Sequence, residues 1–247
     1  MNQPLSNKVA LVTGGSRGIG AAICQKLAAY GAHVVVNYAS SADAANHLVE
    51  QIQTDGGKAI AIKADMSDPS QVINLFDEAE KALGKVSILV NNAGTAVPGS
   101  LAEITDEDFD KQINLNVRGV FVASREAARR MESGGRIINI GSSLGEAVPM
   151  PGLSIYCATK FTIAGLTRGW ARDLGAQNIT VNCIEPGPID TDSNPADGEQ
   201  ADYQKSVTAL GRYGKPEDVA ALVAFVASPE ASNITGSTLR TDGGWGA

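Results

Sequence analysis

The chain is poor in cysteine, histidine and basic charge, and each shortage excludes something. Its three cysteines, Cys24, Cys157 and Cys183, are odd in number and lack the paired spacing of metal ligands. A disulfide framework is therefore not expected, and the thiols read as buried and free in a reducing cytoplasm. The two histidines, His33 at a strand start and His47 in a helical stretch, have no companions for a metal. No run of eighteen apolar residues occurs, and no basic-then-apolar leader, so a soluble, unsecreted protein is expected. Lysine and arginine number 20 against 27 aspartates and glutamates, a net charge of −7. That balance argues against nucleic acid and anionic membrane as partners, and makes an acidic carrier protein unwelcome. Linkers, charge blocks and internal repeats are also missing. With a hydrophobic share of 43 %, one domain spanning residues 1–247 is expected.

What is present alternates. Apolar, strand-like runs fall at Val9–Thr13, His33–Asn37, Ala59–Lys63, Ile88–Asn91, Arg136–Ile140, Thr180–Ile184 and Thr238–Thr241. Helical patterns fill the gaps at Gly18–Tyr30, Ala42–Thr54, Pro69–Leu83, Asp106–Met131, Ile155–Gly175 and Pro216–Ala227. Thr105 followed by Asp106, Glu107 and Asp108 reads as a cap with an acidic first turn, and Pro216 suits a first helical position. Such alternation predicts an α/β fold, a doubly wound parallel sheet with helices on both faces. Ligands of such sheets bind beyond the carboxyl ends of the strands.

Two motifs carry chemistry. The run Lys8-Val-Ala-Leu-Val-Thr-Gly-Gly-Ser-Arg-Gly-Ile-Gly20 places a glycine-rich turn between a strand and an alanine-rich helix. Glycines at 14, 18 and 20 permit a tight turn, close approach to a pyrophosphate, and helix-to-sheet packing. The helix N-terminus then offers free N–H groups and its positive dipole end. Further on, Tyr156 and Lys160 are four residues apart in Ser154-Ile-Tyr-Cys-Ala-Thr-Lys160. On a helix that spacing stacks phenol and ammonium one turn apart on one face. A free phenol ionises near about 10, so a tyrosine exchanging protons near neutrality needs a cation to stabilise its phenolate.

The Thr13-Gly14-x-x-x-Gly18-x-Gly20 spacing, Asn91-Asn92-Ala93-Gly94, Ser142, Tyr156 with Lys160, and Pro186-Gly187 together resemble the short-chain dehydrogenase/reductase family, over about residues 6–244. The resemblance implies a seven-stranded Rossmann sheet and a nicotinamide cofactor held by Gly14, Ser16, Arg17, Gly18, Ile19 and Gly20. Asn37, Tyr38, Ala39, Ser40 and Ser41 after the second strand, Asp65 and Met66 after the third, and Asn92, Ala93 and Gly94 after the fourth would join them. Pro186, Gly187, Ile189 and Thr191 would hold the nicotinamide, and Lys160 with Tyr156 its ribose. Asp65 reads equally as a helix-capping aspartate. The family's Asn-x-x-Gly pattern selects Asn116, not Asn114, for a proton-relay water; its Ser-x-x-Gly pattern selects Ser142, with Ser143 as the alternative, to bind the substrate carbonyl. Cys157 occupies a place usually filled by a small packing residue.

The second strand ends in Val36-Asn37-Tyr38-Ala39-Ser40-Ser41, with no carboxylate before Asp43. NAD-preferring folds use an acidic side chain there, whereas a 2′-phosphate suits Arg17 with the Ser40 and Ser41 hydroxyls. NADP(H) is therefore expected, and a reductase acting on a small-molecule carbonyl. Leu144, Glu146, Val148, Met150 and Leu153 are expected to line the pocket, and residues 192–214 to form a lid. Carrier-protein reductases are similar too, but Ser133 and Gln177 stand where those often carry arginine; Arg129, Arg130 and Arg172 are the remaining candidates for a basic patch. A third reading, from the segment Asp190–Gly198, is a regulatory nucleotide-binding protein with little catalysis. The resemblance implies a homotetramer, or a homodimer, through the helices at Asp106–Met131 and Ile155–Gly175 and the last strand. Trp245 either packs at such a contact or lies in solvent.

Overall fold

β-Branched residues recur in every strand, and each strand except the last feeds a turn and a helix. The computed structural model describes residues 3–148 and 150–247. Its strands are β1 (Val9–Val12), β2 (His33–Tyr38), β3 (Lys58–Lys63), β4 (Val86–Asn91), β5 (Arg136–Ile140), β6 (Thr180–Pro186) and β7 (Thr238–Thr241). They form one 7-stranded sheet in the order β3-β2-β1-β4-β5-β6-β7, with every neighbouring pair parallel. Because β1 lies between β2 and β4, the loops after β1 and β4 part in opposite directions. A crevice opens at that switch point.

The helices are α1 (Gly18–Ala29), α2 (Ala42–Thr54), α3 (Pro69–Leu83), α4 (Asp106–Ile113), α5 (Val120–Arg130), α6 (Ser154–Leu174), α7 (Ala201–Ser206) and α8 (Pro216–Ala227). Side chains alternate along the strands, so each strand supplies both faces. Ala10, Val12, Val34 and Val36 pack on Ile23 and Leu27 of α1, Leu48 of α2 and Val223 of α8. Leu11, Val35, Leu89 and Ile137 pack on Phe76 of α3, Val122 of α5 and Leu174 of α6. Burial on both sides is why β1 reads as a continuous apolar run. No helix among the described residues is long and apolar enough to cross a membrane.

The expected continuous helix over 106–131 differs in one respect. Asn114–Gly119 between α4 and α5 is a π-helical stretch. The cause is tertiary. Asn116 Oδ1 accepts from the Thr95 N–H at 2.9 Å, and its Nδ2 donates to the Thr95 carbonyl at 2.8 Å and to Thr159 Oγ1 at 3.1 Å. One turn earlier Gln112 meets the Val97 N–H and carbonyl at 3.2 and 3.4 Å. The two amides hold the loop after β4 against the helix as a neighbouring strand would. The cap at Thr105 is a full capping box with Asp108, and Pro216 opens α8.

Candidate active site

The glycine turn is fixed from beneath. Gly14 adopts a φ of +60°, and its N–H donates to Asn37 Oδ1 at 3.1 Å. A Cβ on Gly20 would stand 2.3 Å from the Gly14 carbonyl oxygen and 2.6 Å from Asn92 Nδ2, so only glycine lets α1 come this close. Asn92 Nδ2 donates to the Thr13 and Gly14 carbonyls at 2.9 and 3.0 Å, while Thr13 Oγ1 accepts from Asn92 and Ala93, both at 3.0 Å. The asparagine after β4 thus locks the turn after β1. Arg17 is exposed at the N-cap of α1 in extended conformation, and among the described residues it makes no ion pair.

A cleft of ≈ 650 Å³ runs from this turn along the carboxyl edge of the sheet. It is lined by Gly14, Ser16 to Gly20, Asn37 to Ser41, Asp65, Met66, Asn92 to Gly94, Pro186, Gly187, Ile189 and Thr191, and by Ser142, Tyr156 and Lys160. A glycine cradle that a Cβ would fill, a helix N-terminus facing the cleft, and this elongated space fit a dinucleotide. Asn37 contributes differently from expectation: it is 1 % exposed, and its amide is spent on Gly14 and on the Ala64 carbonyl at 3.0 Å. Asp65 is not the helix cap. That is Asp68, whose Oδ1 accepts from the Ser70 N–H at 2.8 Å and whose acid is held down at about 2, chiefly by Ser70. Asp65 instead accepts from Ser67 N and Oγ at 2.8 Å.

At the other end, Lys160 is buried and its Nζ donates to the Ile140 carbonyl at 2.9 Å, standing 5.6 Å from the Tyr156 ring centroid. Ser142 begins a tight turn, its Oγ accepting from the Leu144 N–H at 3.2 Å. Ser143 turns away: its hydroxyl donates to the Pro186 carbonyl at 3.1 Å, and it lines no part of the cleft. Asn116 lies one layer back, behind Thr95, which does line the cleft. A Cβ on Gly94 would be 3.4 Å from Asn116 Oδ1 and 3.7 Å from Lys160 Nζ, so the two side chains converge on that glycine.

The expected pocket residues Leu144, Glu146, Val148, Met150 and Leu153 do not line this cleft. Glu146 and Val148 are exposed, and Glu146 pairs with Arg240 of β7. Thr95, Ala96 and Leu115 line it unanticipated, and Asn194 lines it from the expected lid. Only Asn194 had a usable signal, its place in the segment after β6. There it exchanges amide hydrogen bonds with Gln204 at 3.1 and 3.2 Å. Arg130 pairs with Asp77, Glu80 and Glu126, and Arg129 with Glu126. All three cysteines are buried and free, and burial pushes the Cys24 and Cys157 thiols up. His47 meets Gln51 at 3.0 Å, and no group of metal-capable side chains gathers among the described residues. Trp245 is half-buried, its N–H donating to the Asp242 carbonyl at 3.2 Å.

The family model described as Enoyl-(Acyl carrier protein) reductase matches residues 14–246. The chain is 43 % identical over 242 residues to the cyclic-di-GMP-binding biofilm dispersal mediator protein of Escherichia coli, covering 98 % of each. It is 41 % identical over 252 residues to a probable tetrahydroxynaphthalene reductase of Zymoseptoria tritici, covering 97 % of this chain and 94 % of that one. A solved short chain dehydrogenase from Burkholderia cenocepacia, in complex with NADP, superposes with a TM-score of 0.97 at 52 % identity, covering 99 % of this chain and 100 % of that one.

Proposed function

The chain belongs to the short-chain dehydrogenase/reductase family, and we propose that within it the protein is an NADP(H)-dependent reductase of small-molecule ketones. The observation that carries this reading is Tyr156 with Lys160 on one face of α6, facing the same cleft as Ser142 and the glycine turn. NADP(H) is the cofactor. Arg17, with no carboxylate at the end of β2 to oppose it, supports the phosphorylated form.

The bound nicotinamide supplies the hydride; the chain supplies the rest. Ser142 and Tyr156 hydroxyls donate to the carbonyl oxygen and stabilise the charge that builds there. Tyr156 gives its proton to that oxygen as general acid. Lys160, fixed by the Ile140 carbonyl, stands beside the phenol and would hold the nicotinamide ribose. Asn116, whose amide N–H groups are taken by Thr95 and Thr159, keeps an oxygen lone pair to hold the water that returns the proton. Residues 192–214 form a lid, its start at Asn194 tied to Gln204 of α7. Tyr156→Phe is expected to bind NADPH normally while kcat falls about 100-fold or more; a variant keeping most of its turnover refutes the assignment.

A carrier-protein substrate is less well supported, because Arg129 and Arg130 are neutralised by acidic neighbours. The likeness to the E. coli mediator favours one second reading, a nucleotide-binding regulator. Calorimetry with cyclic-di-GMP, beside NADPH oxidation with a panel of activated ketones, separates the two. Exposed Phe109, Phe121 and Phe161 on α4, α5 and α6 support a homo-oligomer, a tetramer or dimer, which light scattering tests. Three buried free thiols suit a reducing cytoplasm.

A further inference from the structure

Glu185 on β6 is wholly buried, and neither carboxylate oxygen has a hydrogen-bond partner among the described residues. Such a group is costly to ionise. Burial pushes its acid up to about 7, opposed by Arg168 on α6 and reinforced by Asp242 at the end of β7. Its neighbours are both ends of the Ser142 turn, at the Tyr156 end of the cleft. A Cβ on Gly141 would stand 3.0 Å from Glu185 Cγ, and one on Gly145 would stand 3.3 Å from Oε1 and 3.2 Å from the Lys160 carbonyl carbon. The carboxyl therefore lies under the Ser142 turn, against the backbone of Lys160. Cys183, on the same strand, has its thiol pushed up to about 12 by burial and then by Glu185.

One cation serves several acceptors here. Arg240 pairs through Nη2 with Glu146, the residue that closes the Ser142 turn, and through Nη1 donates to the Gly246 carbonyl at 2.7 Å. Its Nε stands 3.9 Å from Glu185 Oε2, too far for a hydrogen bond. Asp242 is engaged by the N–H groups of Gly244 and Gly246, both at 2.9 Å, and by Ser143 Oγ at 3.4 Å. We propose that Glu185 is a positioning residue: its proton decides how Arg240 is shared between Glu185 and Glu146, and so how the turn presents Ser142. The proposal rests on the ketone-reductase reading. With the proton on, Arg240 serves Glu146 and the turn is held. With the proton lost, a buried charge that Arg168 only partly offsets draws the Arg240 guanidinium inward and releases Glu146.

The test measures steady-state reduction of an activated ketone from pH 5.5 to 8.5 for the wild type, E185Q and E146Q. Trp245 fluorescence is followed in parallel in a Trp170→Phe background, because Arg240 holds the tail through Gly246. Wild-type kcat is expected to fall about fivefold relative to E185Q as pH crosses neutrality, a small misplacement at the reacting centre, with the Kd for NADPH unchanged. The fluorescence is expected to shift over the same window in the wild type, to stay flat in E185Q, and to move to lower pH in E146Q, where Arg240 is left to Glu185. Parallel rate profiles for wild type and E185Q overturn the positioning role. A wild-type fluorescence without a midpoint, or one unmoved by E146Q, overturns the sharing of Arg240. A wild type that reduces no ketone sinks the reductase reading instead, and the fluorescence alone then decides the sharing.

Discussion

Glu185→Gln removes a proton-binding group while keeping the shape of the neutral acid, so its effect on stability is set by linkage. The folded protein holds this acid at about 7, against an ordinary value of 4.5. Between those values the folded chain keeps a proton that the unfolded chain has released. The contribution to stability is thus full below 4.5 and is lost as pH rises through about 7. At about 1.36 kcal/mol per pH unit, the loss is about 3 kcal/mol. For a chain of this length, 1 kcal/mol moves the melting temperature roughly 2–4 °C, so the expected change is roughly 6–12 °C. Melting curves of wild type and E185Q, recorded from pH 4 to 8.5, isolate it, since every other titrating group is common to both. The wild type should lose ground steadily to the variant as pH rises, with the gap saturating above pH 8. A gap constant with pH, or one closing as pH rises, would show that the burial of this carboxyl has been misjudged.

Gly20→Ala forces a methyl group to within 2.3 Å of a carbonyl oxygen; α1 must retreat, at about 1–3 kcal/mol of stability, and NADPH affinity in a fluorescence titration should fall about tenfold or more. Unchanged affinity would mean that the turn does not bear the pyrophosphate. Arg17→Ala should weaken NADPH by about 1.5–3 kcal/mol, roughly 10- to 150-fold in Kd, and leave NADH nearly untouched; equal losses for both defeat the phosphate role. Thr105→Ala dismantles the capping box of an 8-residue helix and should lower stability by about 1 kcal/mol in urea unfolding; no change in the midpoint would show that packing alone holds α4.

The order of strands and helices was legible because the local signals agree with one another. α2, α3 and α8 have the residue ranges read from the sequence; Asp68 caps α3 ahead of Pro69, and Pro216 stands at the first turn of α8. α7 was not legible; it has six residues, and only Ala201 is buried, so no apolar period exists to read. The π-helical stretch escaped for another reason. Its cause, the Thr95 backbone, lies 21 residues from Asn116 in sequence. The same distance effect governs the site. The glycine turn, Tyr156 and Lys160 declare themselves through spacing, whereas the outward course of Glu146 depends on Arg240, at the far end of the chain. The Ser-x-x-Gly pattern selects Ser142, but that the Ser143 hydroxyl is engaged by the Pro186 carbonyl, 43 residues away, could not be read from it.

Gln112 and Asn116 grip the loop at Thr95 and Val97 by main-chain atoms alone. The identities of the side chains borne by that wall are therefore uncoupled from its attachment. Thr95 and Ala96, which line the cleft, can be exchanged, in nature or in the laboratory, to admit differently shaped ligands while the wall keeps its place. Altering either amide has the opposite character: it leaves every wall side chain intact and sets the whole segment adrift.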